Sequence, residues 1–231
     1  MDPALSFSGV RLRRRSFSLD LPSLFVPSDA VVGLVGRNGA GKSSLIDLAA
    51  GLLAPQMGEV RSLGLNPASD EVAVRSKVAR MTDDEPLVDL PVSRLFDLLA
   101  PFYKSWDREL CERLRADFGV SRQKRPSEMS KGEATRLRLV LAMAWRPALL
   151  LLDEPGTGLD VVERRKMLTE VLAITREPGR TVLISSHQVD DIERIADWAI
   201  VLNEGRVLRT GPMDEVVPPG KTLEQLIVEV A

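Results

Sequence analysis

The most informative stretch of this sequence is Gly36-Arg37-Asn38-Gly39-Ala40-Gly41-Lys42-Ser43-Ser44. Residues 36–43 fit the pattern G-x-x-x-x-G-K-[ST] in full. Glycines permit a tight loop whose backbone N–H groups surround a phosphate, and a following helix directs its positive end at the same anion. Lys42 would reach the β- and γ-phosphates, and Ser43 would offer its hydroxyl to Mg²⁺. We therefore predict that residues 36–44 bind a nucleoside triphosphate.

The flanking residues indicate the structure that holds this loop. A continuous apolar run, AVVGLVG at 30–36, is typical of a strand buried on both faces of a sheet. The segment 44–53 has apolar residues at helical spacing and is followed by Pro55. A chance glycine turn is the alternative, but strand, loop and helix in this order are the context that a phosphate-binding loop requires.

A second apolar run, ALLLLDEP at 148–155, predicts a strand that ends in two acids. Ligands of open α/β sheets lie at the carboxyl ends of the strands. Asp153 would belong to the Mg²⁺ shell, and Glu154 would polarise the attacking water. The alternative is a strand that is merely capped by acids.

The remaining pattern predicts an α/β fold with a mainly parallel sheet. Loosely alternating residues at 4–26 indicate short antiparallel strands, TVLISS at 181–186 indicates another buried strand, and 199–211 indicates a hairpin. Helices are predicted at 161–176, around DDIERIAD and at 222–230. We predict one domain over 1–231, with a nucleotide-binding core (1–85 and 147–231), an N-terminal antiparallel β subdomain and an inserted helical subdomain (86–146).

The composition argues against a nucleic-acid-binding protein and against a membrane-spanning one. The 231 residues carry a formal net charge of −2, which gives no basic footprint for nucleic acid, and we expect no nucleic-acid partner. The single cysteine, Cys111, fits a reducing cytoplasm. Arg138, Arg146 and Pro147 interrupt the longest apolar region, so we expect no membrane-spanning segment.

The segment Glu128-Met129-Ser130-Lys131-Gly132-Glu133 opens a long amphipathic helix. Ser130 and Glu133 have the S-x-x-E spacing of a capping box, which by itself explains both residues. A second interpretation depends on the order of the motifs along the whole chain.

In that order the sequence resembles the nucleotide-binding subunits of ABC transporters, over essentially its whole length. GRNGAGKSS resembles their Walker A motif, LLLLDEP their Walker B motif, and SKGE at 130–133 a variant of their signature. GLD at 158–160 resembles the D-loop, and His187, the only histidine, lies where the switch histidine is found. The resemblance implies a P-loop NTPase fold, with ATP and Mg²⁺ as cofactors and Glu154 and His187 as catalytic residues.

The resemblance also implies partners. Two cassettes, identical or different, would pair head to tail, with each ATP between one chain's phosphate loop and the other chain's Ser130, Gly132, Glu133 and Asp160. A separate transmembrane permease would hold the chain at the inner face of the membrane. Compact size and the C-terminal TLEQLIVEVA suggest the bacterial exporter type.

The sequence departs from the family pattern at three places. Asp84 replaces the usual glutamine, where it would approach Mg²⁺ or belong to a solvated acidic loop. Lys131 and Glu133 replace the common glycine and glutamine of the signature. No tyrosine precedes the phosphate loop, so Phe17 or an arginine of the run 11–15 would stack on adenine, unless Phe17 is a core residue and the run an exposed strand face.

Two other functions are compatible with these motifs. The first is a switch or scaffold that binds ATP but scarcely hydrolyses it; the presence of Glu154 and His187 argues against it, whereas Asp84 leaves it open. The second is a soluble ABC ATPase outside transport that acts on nucleic acid, against which the balanced charge argues.

Overall fold

The computed structural model describes residues 2–14, 17–175 and 177–229, with no side-chain placement for Glu229. Arg15 of the basic run, Arg176 of the predicted helix and Val230 of the predicted tail lie outside these ranges. The strands are β1 (Leu5–Arg14), β2 (Phe17–Val26), β3 (Val31–Val35), β4 (Met57–Ser62), β5 (Val78–Met81), β6 (Leu149–Asp153), β7 (Thr181–Ser185), β8 (Trp198–Asn203) and β9 (Arg206–Pro212). The helices are α1 (Lys42–Ala49), α2 (Glu71–Arg75), α3 (Val92–Leu99), α4 (Arg108–Asp117), α5 (Lys131–Met143), α6 (Val161–Thr175), α7 (Val189–Ile195), α8 (Met213–Val216) and α9 (Leu223–Glu229).

The nine strands of the described residues belong to one sheet, in the order β4-β1-β2-β9-β8-β3-β7-β6-β5. The strands β8, β3, β7, β6 and β5 are parallel, whereas β1 pairs antiparallel with both β2 and β4. The predicted α/β fold with a mainly parallel core and an antiparallel N-terminal part is confirmed. A parallel contact between β2 and β9 joins the two parts into a single sheet.

The parallel strands form because their residues are apolar on both faces. Every residue of β3, β6 and β7 is buried, as the continuous apolar runs predict. In β1 the buried residues alternate with exposed ones, which leaves one face for solvent. The antiparallel strands β1 and β2 span ten residues each, so they are longer than the short strands that the sequence indicates.

The segment 86–146 contains α3, α4, α5 and two short 3₁₀ turns, and no strand among its described residues. Its apolar residues Leu95, Leu114 and Leu137 belong to the same buried cluster as Leu150 and Val182 of the sheet. The helical segment therefore shares its core with one face of the sheet. On the other face, α1 packs with β1 and β2 in a second cluster.

Some boundaries differ from the predicted ones. The helix after the phosphate loop begins at Lys42 and ends at Ala49, although the pattern predicts 44–53, because Gly51 turns the chain at a φ of 75°. The hairpin of β8 and β9 turns through Glu204 and Gly205, both at positive φ, as a tight hairpin requires. None of the helices in the described ranges is long and apolar enough to cross a bilayer.

Candidate functional site

The phosphate loop connects β3 to α1, and residues of β2 and of the β8–β9 turn contact its backbone on the side away from solvent. Gly41 adopts a φ of 107°, and a Cβ there would lie 2.6 Å from the Phe17 ring, so no larger residue fits without rearrangement. The N–H of Gly205, in the hairpin turn, donates to the carbonyl of Ala40 at 2.9 Å. Arg37, Asn38 and Gly39 are exposed at the open side of the loop. The loop thus packs against the protein at Ala40 and Gly41, and its outer edge faces solvent.

Lys42 is directed back over this loop. Its side chain is only 7% exposed, and Nζ donates to the carbonyls of Gly36 at 2.8 Å and Arg37 at 3.4 Å. The same nitrogen lies 3.7 Å from Glu154 Oε1. A buried ammonium with these neighbours is positioned to meet an anion that occupies the loop.

The two acids at the end of β6 have different partners. Asp153 is buried, and its Oδ1 accepts a hydrogen bond of 2.6 Å from the Ser185 hydroxyl of β7. The Glu154 N–H donates to the same hydroxyl at 3.0 Å. Ser185 lies opposite Asp153 in the strand register, so the pairing of β6 with β7 places both acids at one edge of the sheet.

Glu154 also joins the histidine to the lysine. His187 donates its backbone N–H to Glu154 Oε2 at 3.1 Å, and Nδ1 of its ring lies 2.6 Å from the same oxygen. Glu154 therefore contacts Lys42 through one carboxylate oxygen and His187 through the other. The residues that we predicted from two separate strands and the loop meet at one place.

The candidate magnesium ligands are all oxygen donors. Ser43 lies exposed in the first turn of α1, Asp153 lies at the end of β6, and Asp84 follows β5. Thr82 donates to Asp84 at 2.8 Å, and this hydrogen bond lowers the pKa of the Asp84 carboxyl. In the described part of the chain no cluster of three or more metal-ligating side chains occurs. Few protein ligands are typical of Mg²⁺ that is bound together with phosphates and water, so this donor set fits the ion.

The start of α5 has the predicted capping box. The Glu133 N–H donates to Ser130 Oγ at 3.2 Å, and the Ser130 N–H donates to Glu133 Oε2 at 2.8 Å. Lys124 contacts both oxygens of the same carboxylate at 2.8 Å. The Lys124 ammonium, aided by the Ser130 N–H, lowers the pKa of Glu133 to about 2. Both oxygens of the carboxylate are engaged by these contacts, which favours a capping role for Glu133 over a direct contact with nucleotide.

Gly132 and Asp160 connect α5 to the loop before α6. A Cβ on Gly132 would lie 2.6 Å from the Gly158 carbonyl oxygen, and the Thr135 hydroxyl donates to the Thr157 carbonyl at 3.2 Å. Asp160 caps α6, where Oδ1 accepts from the Glu163 N–H at 2.8 Å. No hydrogen bond or ion pair in the described ranges joins Ser130, Gly132 or Asp160 to residues 36–44. The structure thus leaves these residues apart from the phosphate loop of their own chain.

Two other features of the structure border the phosphate loop. Phe17 is partly buried against the second core cluster beside Gly41, so it borders the loop while it also serves the core. A cavity of about 400 Å³ opens beside the loop. It is lined by Gly36, Arg37, Asn38, His187, Val189 and Ile227. Ile227 belongs to α9, and the amphipathic pattern of residues 222–230 contained no signal for this position.

Replacing Gly132 with alanine is expected to destabilise the chain by about 1–3 kcal/mol, since the new methyl group would overlap the Gly158 carbonyl. Gly156→Ala is the matched control, because its Cβ would lie 3.6 Å from the Arg164 side chain, an ordinary contact. Urea denaturation of both variants measures the difference. Equal stability of the two variants would show that the close approach of α5 to this loop is wrong.

Comparison with known proteins identifies the family. The model of the ABC transporter family matches residues 19–157. The nickel import ATP-binding protein NikO of Rhodobacter capsulatus is 34% identical over 235 residues, which cover 94% of this chain and 92% of that protein. The thiamine import ATP-binding protein ThiQ of a Jannaschia species is 32% identical over 221 residues, or 92% and 95% of the two chains.

Solved structures agree with this match. An ATP-binding subunit of an ABC transporter superimposes with a TM-score of 0.89 at 26% identity, over 98% of this chain and 99% of that one. A dimeric ATP-binding cassette in a post-hydrolysis state, with ADP and phosphate bound, has the same fold, with a TM-score of 0.78 at 20% identity over 90% and 98% of the chains. The chain belongs to the ATP-binding subunits of ABC transporters. It is an ATP-binding protein and an ATPase of ATP-driven transport.

Proposed function

We propose that the chain hydrolyses ATP at the site formed by residues 36–44, Asp153, Glu154 and His187, and that this site is completed by a second cassette. The observation that supports this most strongly is the contact group Lys42–Glu154–His187 beside an exposed phosphate loop. The group combines a cation for the phosphates with a carboxylate that is hydrogen-bonded to a histidine.

In this proposal each residue of the group has a separate role. Lys42 binds the β- and γ-phosphates, for which it exchanges its present contacts with the Gly36 and Arg37 carbonyls. Glu154 orients the attacking water and accepts its proton, and His187 holds the Glu154 carboxylate and contacts the γ-phosphate. Ser43 and Asp153, with Asp84 as a further oxygen donor, would hold Mg²⁺, which neutralises charge on the phosphates.

The second cassette supplies what the phosphate loop lacks in its own chain. The Gly132 backbone packs against Gly158, and neither Ser130 nor Gly132 has a bond to the phosphate loop among the described residues. In a head-to-tail pair, Ser130 and Gly132 of one chain would face the ATP bound by the other, and Asp160 would lie at the same interface. The pair is a homodimer or a heterodimer.

We further propose that a permease subunit docks in the groove between the sheet and the helical segment. This groove encloses about 440 Å³ and contains residues of β5, α3 and α5. Its lining includes Leu87, Leu99, Tyr103 and Trp145, and its rim has the exposed apolar residues Leu52 and Val88. Such a surface suits an apolar helix of a membrane partner, and the relatives are named as subunits of import systems.

This partner would place the chain at the inner face of the membrane. In this proposal the permease, and not the ATP-binding chain, determines the direction of transport. The exporter type that the C-terminal segment suggests therefore stays a prediction beside relatives that are named for import.

Pairing around ATP predicts a change of mass. Glu154→Gln is expected to become dimeric when ATP is added, because bound ATP that is not hydrolysed keeps the two cassettes together. Size-exclusion chromatography with light scattering would show a mass of twice 25.4 kDa with ATP and 25.4 kDa without it. Adding Lys42→Ala to the same variant should restore the monomer.

A heterodimer requires a second measurement. If the variant alone stays monomeric, native mass spectrometry of the purified permease complex counts its cassettes. A single cassette in that complex, with ATP present, would contradict the shared site.

A further inference from the structure

A residue at which the sequence departs from the family pattern contacts the immediate neighbour of another such residue. Lys131 occupies the signature position where glycine is common, and Asp83 immediately precedes Asp84, which replaces the usual glutamine. In the structure Lys131 Nζ lies 2.8 Å from Asp83 Oδ2. The cation at one departure thus contacts an acid that lies beside the other departure, across 48 residues of sequence.

The ion pair joins three segments. Asp83 belongs to the connection from β5 to α3, and Lys131 is the first residue of α5. The aliphatic part of the Lys131 side chain also packs beside Gly158: a Cβ atom placed on Gly158 would lie 3.4 Å from Lys131 Cγ. Lys131 therefore links the loop that carries Asp84 to the beginning of α5 and to the segment 156–160.

A lysine is electrostatically unfavourable at this place. The first turn of a helix has unpaired N–H groups and the positive end of the dipole, so that an acid is preferred there and a cation is destabilising. Asp83 supplies the missing negative charge. Without it, the ammonium of Lys131 would have only the carboxylate of Glu133 in the same helical turn, and Glu133 is already bound to Lys124.

The pair is also accessible to solvent. The Lys131 side chain is 61% exposed and that of Asp83 is 32% exposed. An exposed pair contributes little to folding stability and is screened by salt. Its effect is therefore expected in the relative position of the segments, and much less in whether the chain folds.

We propose that Asp83 and Lys131 are positioning residues, whose ion pair sets the start of α5 relative to the loop of Asp84. This inference rests on the proposed function, in which Ser130 and Gly132 at the start of α5 face the ATP of the second cassette. Asp84 is kept in place by Thr82, and its neighbour Asp83 by Lys131, so one loop is fixed at two consecutive residues. The pair does not contact the nucleotide in this proposal. It acts through Ser130 and Asp84.

A double-mutant cycle tests the pair. Lys131→Met keeps the aliphatic stem, and Asp83→Asn keeps the shape of the acid. Each single variant is expected to lower kcat for ATP about two- to fivefold with little change in KM, because the coupling of an exposed pair is modest. The double variant should be no slower than either single variant. The exchanged pair, Asp83→Lys with Lys131→Asp, should recover most of the rate.

The dependence of the rate on ionic strength gives a second measurement. Salt screens an ion pair, whereas it would not change an effect that came only from lost packing contacts of the side chain. The advantage of the wild type over Lys131→Met should shrink as salt rises from about 0.05 M to 0.5 M, since the Debye length falls several-fold. Arg61→Met is the matched control, because Arg61 forms an exposed ion pair with Glu59 on β4, away from the site. Its rate should equal that of the wild type at every salt concentration.

The outcomes separate this inference from the proposed function. If the Glu154→Gln variant forms no ATP-dependent pair, alone or with the permease, the proposed function fails first. If that pair forms but the effects of Asp83→Asn and Lys131→Met simply add, or the exchanged pair is no better than the singles, the positioning role of this ion pair is wrong.

Discussion

Glu154→Gln is expected to lower the steady-state ATP turnover of the chain by a factor on the order of 10² to 10⁴, the range that a positioned general base contributes. Glutamine has nearly the shape of glutamate and can still accept the His187 N–H, which lies 3.1 Å from Oε2. It cannot accept a proton from water. The loss should therefore appear in kcat, while ATP affinity stays close to that of the wild type.

The measurement is phosphate release together with equilibrium binding of ATP. Glu128→Gln is a suitable control, because among the described residues the Glu128 carboxylate accepts only the Arg125 N–H and contacts neither Lys42 nor His187. If the wild type and Glu154→Gln are equally slow, Glu154 is not the base, and a nucleotide-dependent switch would then describe the chain better than the proposed mechanism.

Lys42→Ala has the other large expected effect. Nζ is buried beside two loop carbonyls and Glu154, so its removal takes the ammonium group away from the phosphates and leaves them next to a carboxylate. Losing one partner of a buried charge pair costs about 2–5 kcal/mol, which corresponds to a decrease in affinity of roughly 30- to 4,000-fold. Calorimetric titration with ATP would measure it.

The control for this variant is Lys104→Ala, which removes an exposed lysine of the helical segment. It should bind ATP as the wild type does. Unchanged ATP affinity in Lys42→Ala would contradict the assignment of residues 36–44 as the phosphate-binding loop.

The central strands and the loop could be predicted because their signals are local. The runs at 30–36, 148–155 and 181–186 are apolar throughout, and they form β3, β6 and β7 at the centre of the sheet. The tight turn of the β8–β9 hairpin is likewise encoded in its own residues, with Gly205 at positive φ.

The strands β4 and β5 were missed because their signals are not local. Only two of the six residues of β4 are buried, and its place in the sheet depends on pairing with β1. β5 has four residues and contains Arg80, whose charge is balanced by Asp47 of α1 at 2.7 Å. A charged arginine in such a short segment weakens the sequence pattern that predicts a buried strand. The tertiary contact with Asp47 explains how Arg80 is accommodated there.

The same distinction applies to the site. The sequence names Lys42, Glu154 and His187 separately, but the contact of Glu154 with both of the others depends on β7 pairing with β6 on one side and with β3 on the other. The contacts of Glu133 with Lys124 and of Lys131 with Asp83 join different segments of the chain. No spacing rule predicts such contacts, so the S-x-x-E spacing predicts the capping role of Glu133 but not its contact with Lys124, and nothing in the sequence predicts the contact of Lys131 with Asp83.

A mixing experiment tests the shared ATP site most directly. Lys42→Ala disables the phosphate loop of one chain. Ser130→Asp in another chain keeps the helix cap, for which aspartate is as good as serine, but puts a carboxylate where the γ-phosphate would bind. Each variant alone should be inactive. A mixed pair contains one site with an intact loop from the second chain and an intact Ser130 from the first.

The account predicts that equal amounts of the two inactive variants regain ATP turnover when they are mixed, in proportion to the fraction of mixed pairs. Differently tagged chains allow that fraction to be measured by affinity capture from the same sample. Mixed pairs that form in the presence of ATP and show no turnover would contradict a site shared between two chains.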